Sequence, residues 1–379
     1  MNALHELLNR HWIVRSRDKE LYYKLKDASG EYRKFLSEKL GYQMIINPHI
    51  IKVVKMPGHA EPWMGIQKFE SIMEYRMLCW ILIFLEDKEP DGQFLLTQIC
   101  EFMQMQAPKD EVDWTLRKHR KLLINVIHFC VEQGIFDVYD GNEEDFGRNR
   151  NTEALFGNLG TSKYFMRVFT QDIMTYESPK DFERSDWIDA DETRGVVRRN
   201  RVYRRLALSM GMYRSEEEDA DFDYIKNQRS LIEHDFQQFF DCHIDVHPSS
   251  AYLIVSADDN FGKSMPVKNM VCDILMLWNS LIRQEVEDGN LSLNSYEIIM
   301  MSKEELYASI EKIKNKYSNT FSKEYREMTT KVFNETIENA LVNYGMIQKN
   351  KETERYELYP IIGKINGMMV ERAEEMLCK

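Results

Sequence analysis

Along most of this chain apolar residues recur at three- and four-residue spacing, so helix is the dominant expectation. A strongly apolar stretch from Phe69 to Leu85 predicts one helix, ended by the polar turn Glu86 to Gly92. A second helix is expected from Phe94 to Met105. Asp113 is placed to cap a third helix over Trp114 to Gln133, and Gly134 to stop it. The alternation Ile135-Phe136-Asp137-Val138-Tyr139 then reads as a strand, Asp140-Gly141 as a turn, and Ala154-Leu155-Phe156 as a weaker return strand. Three helices followed by a hairpin is the order of a winged helix.

The end of the chain repeats this layout. Helices are expected from Ser302 to Tyr317 and from Lys323 to Asn343, with Gly345 as a stop. Met346-Ile347-Gln348, the polar turn Lys349 to Glu354, and Arg355 to Tyr359 make a second hairpin. A third, degenerate copy spans 194–257, where a helix from Tyr224 to Phe240 leads into Cys242 to Val246 and Tyr252 to Val255. Residues 1–55 read instead as a helical arm punctuated by Gly41 and Pro48. The fold class expected is therefore mainly α with short β-hairpins (α+β): tandem winged-helix modules preceded by an N-terminal helical arm. The segments are 1–65 (arm and connector), 66–160 (first module), 161–288 (central arginine-rich module) and 289–379 (C-terminal module).

Length and composition fit several cores: 379 residues, 43% of them hydrophobic. The net charge of −12 means that any contact with nucleic acid must use a locally basic face. Six dispersed cysteines without a C-x-x-C pair point to a reducing compartment. The first residues carry no signal-peptide pattern, and the longest apolar run, Met77 to Leu85, is too short to span a bilayer, so a cytoplasmic protein without a membrane partner is expected.

Two basic clusters stand out. Arg194, Arg198, Arg199, Arg201, Arg204 and Arg205 fall within twelve residues, and Arg194, Arg198, Arg201 and Arg205 have the spacing of one helical stripe. Guanidinium groups suit phosphate because each fork can engage two oxygens. The alternative is internal pairing with the acidic run Glu216 to Asp223. Arg117, Lys118, Arg120 and Lys121 open the third helix, where a winged helix presents its recognition helix to a groove. Asp110, Glu111 and Asp113 offer internal compensation there too.

Other constellations carry less. Ala257 to Ser264 formally fits a loosened phosphate-binding loop, yet it has one glycine and two aspartates where phosphates would lie. His234, Cys242, His243 and His247 match no standard zinc spacing. No nucleophile elbow, H-E-x-x-H or dinucleotide loop occurs, so neither a cofactor nor enzymatic activity is expected.

Several stretches, in order, resemble the B subunit of type II Wadjet plasmid-defence systems, the subunit similar to the KITE proteins of bacterial condensins. They are Ser71 to Tyr75, Leu82 to Glu86, Arg120 to Gly134, Arg201 to Leu206 with Met212-Tyr213, Asp223 to Ile225 with Gln228-Arg229, and Asp259 to Phe261. The resemblance implies tandem winged helices and a non-catalytic accessory subunit that forms a homodimer. It implies binding to a kleisin-like subunit beside an SMC-type ATPase, with DNA cleavage left to a separate nuclease subunit. The function expected is sequence-independent clamping of the DNA backbone during anti-plasmid defence. The alternative is a free-standing winged-helix transcription regulator that reads bases from the Arg117–Lys121 helix.

Overall fold

The computed structural model describes residues 3–61, 63–108, 111–169, 172–178, 181–182, 194–257 and 261–368. It is an α+β fold with four small antiparallel sheets, each of three strands. The described residues within 6–55 and 64–185 form one compact unit, and those within 1–5, 56–63 and 186–379 form another.

One connectivity generates all four sheets. The first runs α1 (Ala3–Asn9), β1 (Trp12–Val14), α2 (Lys19–Asp27), α3 (Ser29–Glu38), β2 (Gln43–Ile46) and β3 (Ile50–Val54). The second runs α4 (Ile72–Glu86), β4 (Gln93–Leu95), α5 (Leu96–Gln106), α6 (Arg117–Gln133), β5 (Phe136–Gly141) and β6 (Ala154–Asn158). The third has one helix fewer: α7 (Arg194–Leu208), β7 (Met212–Tyr213), α8 (Ala220–Gln237), β8 (Cys242–Val246) and β9 (Ser250–Val255). The fourth comprises α9 (Met270–Glu287), β10 (Ile299–Met301), α10 (Lys303–Tyr317), α11 (Lys323–Glu327), α12 (Thr330–Asn343), β11 (Ile347–Lys349) and β12 (Tyr356–Leu358), followed by the short α13 (Ile361–Lys364). In every sheet the last strand lies in the middle, paired antiparallel to the other two.

Residues 1–55, expected as a helical arm, thus contain a full three-stranded sheet. Its strands escape a periodicity search because Trp12, Ile13 and Val14 are all buried, as are Ile50 to Val53, leaving no alternation to detect. The sheet is fastened within its unit by side chains reaching main-chain carbonyls. The Trp12 indole donates to Gln133 at the end of α6, and the Lys52 ammonium donates to Tyr164 and Phe165, both at 2.8 Å. α9, which the sequence segmentation assigns to the central module, shares its core with α10, α12 and β12 through Leu275, Trp278, Ile310, Ile337 and Leu358. Among the described residues no helix is long and apolar enough to cross a membrane.

His11 gives the first unit a measurable pH response. Burial, followed by the nearby Lys52 and Lys55 charges, lowers its pKa from 6.5 to about 3. The folded state therefore keeps His11 neutral where the unfolded chain takes up a proton. Its contribution to stability is intact above pH 6.5 and declines as pH falls towards 3, at most by about 1.4 kcal/mol per pH unit. Urea unfolding at stepped pH is expected to show a shallower acid limb in His11→Gln than in the natural chain. Equal limbs would remove His11 as the source.

Candidate nucleic-acid interface

The second repeat is the best-formed one. Its first helix, α4, starts at a capping box in which the buried Glu74 carboxylate accepts from the Ser71 and Glu70 main-chain N–H groups at 2.9 and 2.8 Å. One phenylalanine from each strand meets at the centre of the sheet: Phe94, Phe136 and Phe156, with ring centroids 5.1 to 5.5 Å apart. α6 packs on this core through Leu123, Ile124, Ile127 and Cys130. It ends at Gly134, whose φ of 72° is the left-handed conformation a helix stop requires.

The start of α6 differs from the sequence expectation. The helix begins at Arg117 rather than Trp114, and Asp113 caps the turn before it, accepting from the Thr115 N–H and hydroxyl at 2.8 and 2.7 Å. These two hydrogen bonds hold the Asp113 carboxyl below the usual carboxylate range.

Arg120 departs furthest from its expected role. It is buried, and its guanidinium donates to four main-chain carbonyls: Trp114 at 2.7 Å, Thr115 at 2.8 Å, Phe146 at 2.9 Å and Gly147 at 3.4 Å. With 7% of its surface exposed and its guanidinium committed to main-chain carbonyls, it has little to offer a phosphate. Its position three and four residues before Leu123 and Ile124 places it on the apolar side of the helix. What it does is join the β5–β6 loop to the first turn of α6.

That joint brings two segments with exposed cations next to each other. Arg117, Lys118 and Lys121 are exposed on α6, and Arg148 and Arg150 are exposed in the loop just beyond Gly147. Among the described residues none of these five cations is paired with a carboxylate. Of the neighbouring acids, Glu111 is taken by Arg76, Asp113 by Thr115, and Glu143 lies 3.5 Å from His128. Asp110 lies outside the described residues. Sequence reasoning missed Arg148 and Arg150; the signal available was the loop Arg148-Asn149-Arg150-Asn151 itself, two cations without an acid among four residues.

The arginine stripe on α7 follows the pairing alternative more closely. Asp221 grips Arg201 through both Nε and Nη2, and Arg198 Nε lies 3.9 Å from the same carboxylate. That contact raises the Arg201 pKa. Arg204 is buried, while Arg205 lines a cleft inside its own unit. Arg199 and Arg198 are half-buried, and the Arg194 side chain lies outside the described residues. The stripe is thus partly absorbed by its own unit, whereas the α6 face is not.

The remaining constellations are placed without a site. Cys242 is buried and His243 exposed, on opposite faces of β8. In the phosphate-loop-like segment, residues 258–260 lie outside the described residues, and the Lys263 ammonium sits 4.1 Å from the centre of the Tyr344 ring.

A family described as a protein of unknown function, DUF2398, matches residues 4–368. The chain belongs to that family. The match spans the residues of all four repeats, the first included. No curated protein and no solved structure matches the chain.

Proposed function

We propose that this DUF2398 protein is a non-catalytic accessory subunit, built of winged-helix modules, that holds the DNA backbone within an SMC-type complex of the Wadjet kind. The observation that carries this reading is the unpaired basic face of Arg117, Lys118, Lys121, Arg148 and Arg150 on a chain whose net charge is −12. Glu144 and Asp145 are exposed in the same loop, but five cations outside any ion pair outnumber these two, and a local excess of positive charge suits a polyanion. The topology supports the reading independently. In each repeat helices precede a hairpin whose second strand lies centrally, and in the second repeat the loop of that hairpin lies beside the third helix, the arrangement in which a winged helix straddles a duplex. The kleisin-like and ATPase partners, and the division of labour with a nuclease subunit, rest on the sequence resemblance.

Affinity purification of the tagged chain from its native cell, with mass spectrometry of its companions, tests the assembly. A large coiled-coil ATPase and a kleisin-like protein are expected. Recovery of the chain with one promoter fragment and neither protein would instead favour the transcription regulator. The non-catalytic part is checked by incubating the purified chain with plasmid and magnesium or manganese; cleavage that co-purifies with the chain would overturn it.

A further inference from the structure

The unit that holds the third and fourth repeats contains an apolar cleft of about 300 Å³. Met210, just past α7, Ile254 and Val255 of β9, Met265, and Ile365, just past α13, line it. All five are half-buried, so their side chains still present surface to whatever enters the cleft. Two lysines reach it as well, and they differ. Lys364 is paired with Asp245. Lys263 has no carboxylate: its ammonium lies 4.1 Å from the centre of the Tyr344 ring and 6.0 Å from that of Trp63, and no hydrogen bond engages it among the described residues. The neighbouring Ser264 hydroxyl is also without a protein partner there, and neither it nor the ammonium is sealed from solvent.

Aromatic faces attract an ammonium but do not accept its protons as a carboxylate does, so Lys263 keeps its hydrogen-bonding capacity. Burial lowers its pKa, against a smaller opposing influence of Cys272, and an anion beside it would offset that loss of hydration. The rest of the lining is largely apolar, and covering it is favourable. A ligand that meets both conditions has one negative head and a hydrocarbon body. A phosphate monoester suits a set of cations, whereas this cleft has one cation free of an ion pair. A carboxylate fits it. Size sets the chain: at ~30 Å³ for each carbon, the share a water molecule takes, a cleft of about 300 Å³ holds about ten carbons.

We propose that this cleft binds a medium-chain carboxylic acid, its hydrocarbon chain covering Met210, Ile254 and Ile365 and its carboxylate held by Lys263 and Ser264. The site belongs to the third and fourth repeats and stands whether or not the α6 face binds DNA.

Isothermal titration of the full chain with butanoate, hexanoate, octanoate and octanol tests it. Affinity is expected to rise about fourfold for each methylene added between butanoate and octanoate, the gain from burying one such group. Octanol, which has the chain without the charge, is expected to bind at least about tenfold more weakly than octanoate. Lys263→Met should bring octanoate down to the level of octanol and leave octanol itself unchanged, the sign of an intact cleft. If that variant does not fold, the ratio of octanoate to octanol in the natural chain decides. Octanol binding as tightly as octanoate would mark an apolar slot for a protein side chain and overturn the acid site. So would no binding of octanoate, an affinity independent of chain length, or unchanged octanoate affinity in Lys263→Met.

Discussion

Replacing Arg120 with methionine is expected to destabilise the first unit by about 3–5 kcal/mol, while the same change at Arg117, Lys118 or Lys121 shifts stability by no more than about 0.5 kcal/mol. The four residues lie within one short basic run, yet only Arg120 is buried, with its guanidinium spread over four carbonyls from two segments of chain. Methionine would fill much of the stem's volume and leave those carbonyls without a donor. Lysine is not expected to rescue the variant, because one ammonium cannot reach carbonyls arranged around a planar fork. Urea unfolding measures the global loss. Hydrogen exchange locates it: amides of 142–153 should lose protection first, since Arg120 ties that loop to α6 alongside buried Phe146 and the His128–Glu143 contact. An Arg120→Met protein with native stability and a protected loop would contradict the joint.

The contrast within this run also shows what was legible in the sequence. The third helix of the second repeat, its glycine stop and the hairpin beyond it follow from the apolar spacing and from Gly134, and the structure has all three, although Asp140-Gly141, expected as the turn, is paired within β5 to Leu155 and Ala154. The basic run was legible as charge but not as orientation, although the spacing of Arg120 to Leu123, Ile124 and Ile127 could have placed it inward. The first strand of each repeat was not legible. Gln93–Leu95, Met212–Tyr213 and Ile299–Met301 have two or three residues each, too few for any period to emerge. These strands exist because the hairpin beside them offers an edge to pair with, which is a tertiary cause. The same holds at Trp12–Val14, and it is why the first repeat read as an arm. Arg148 and Arg150 were missed for a related reason: nothing local says which neighbour an irregular loop will lie against, and here the buried Arg120 guanidinium and the packing of Phe146 set it together.

If the α6 face holds DNA backbone, removing three of its cations should be the change that weakens binding most. Each neutralised phosphate contributes about 0.9 to the slope of log affinity against log salt, so five cations correspond to a slope near −4.5 and the loss of three reduces it by about 2.7. Carried from 1 M to 0.1 M salt, that difference is roughly 500-fold in affinity. The triple variant Arg117→Ala, Lys118→Ala, Lys121→Ala is thus expected to bind random duplex several hundredfold more weakly at 0.1 M salt, with unchanged thermal stability. Arg198→Ala with Arg201→Ala serves as the comparison. It removes two cations rather than three, and Asp221 already binds Arg201 through two hydrogen bonds and lies 3.9 Å from Arg198, so a much smaller loss is expected. Because phosphate contacts carry no sequence information, the loss should be the same on unrelated duplexes. A loss confined to one sequence would point to base contacts and to the regulator. An unchanged slope in the triple variant, with the α7 variant losing affinity instead, would move the interface to the arginine stripe and leave α6 as an ordinary solvated face.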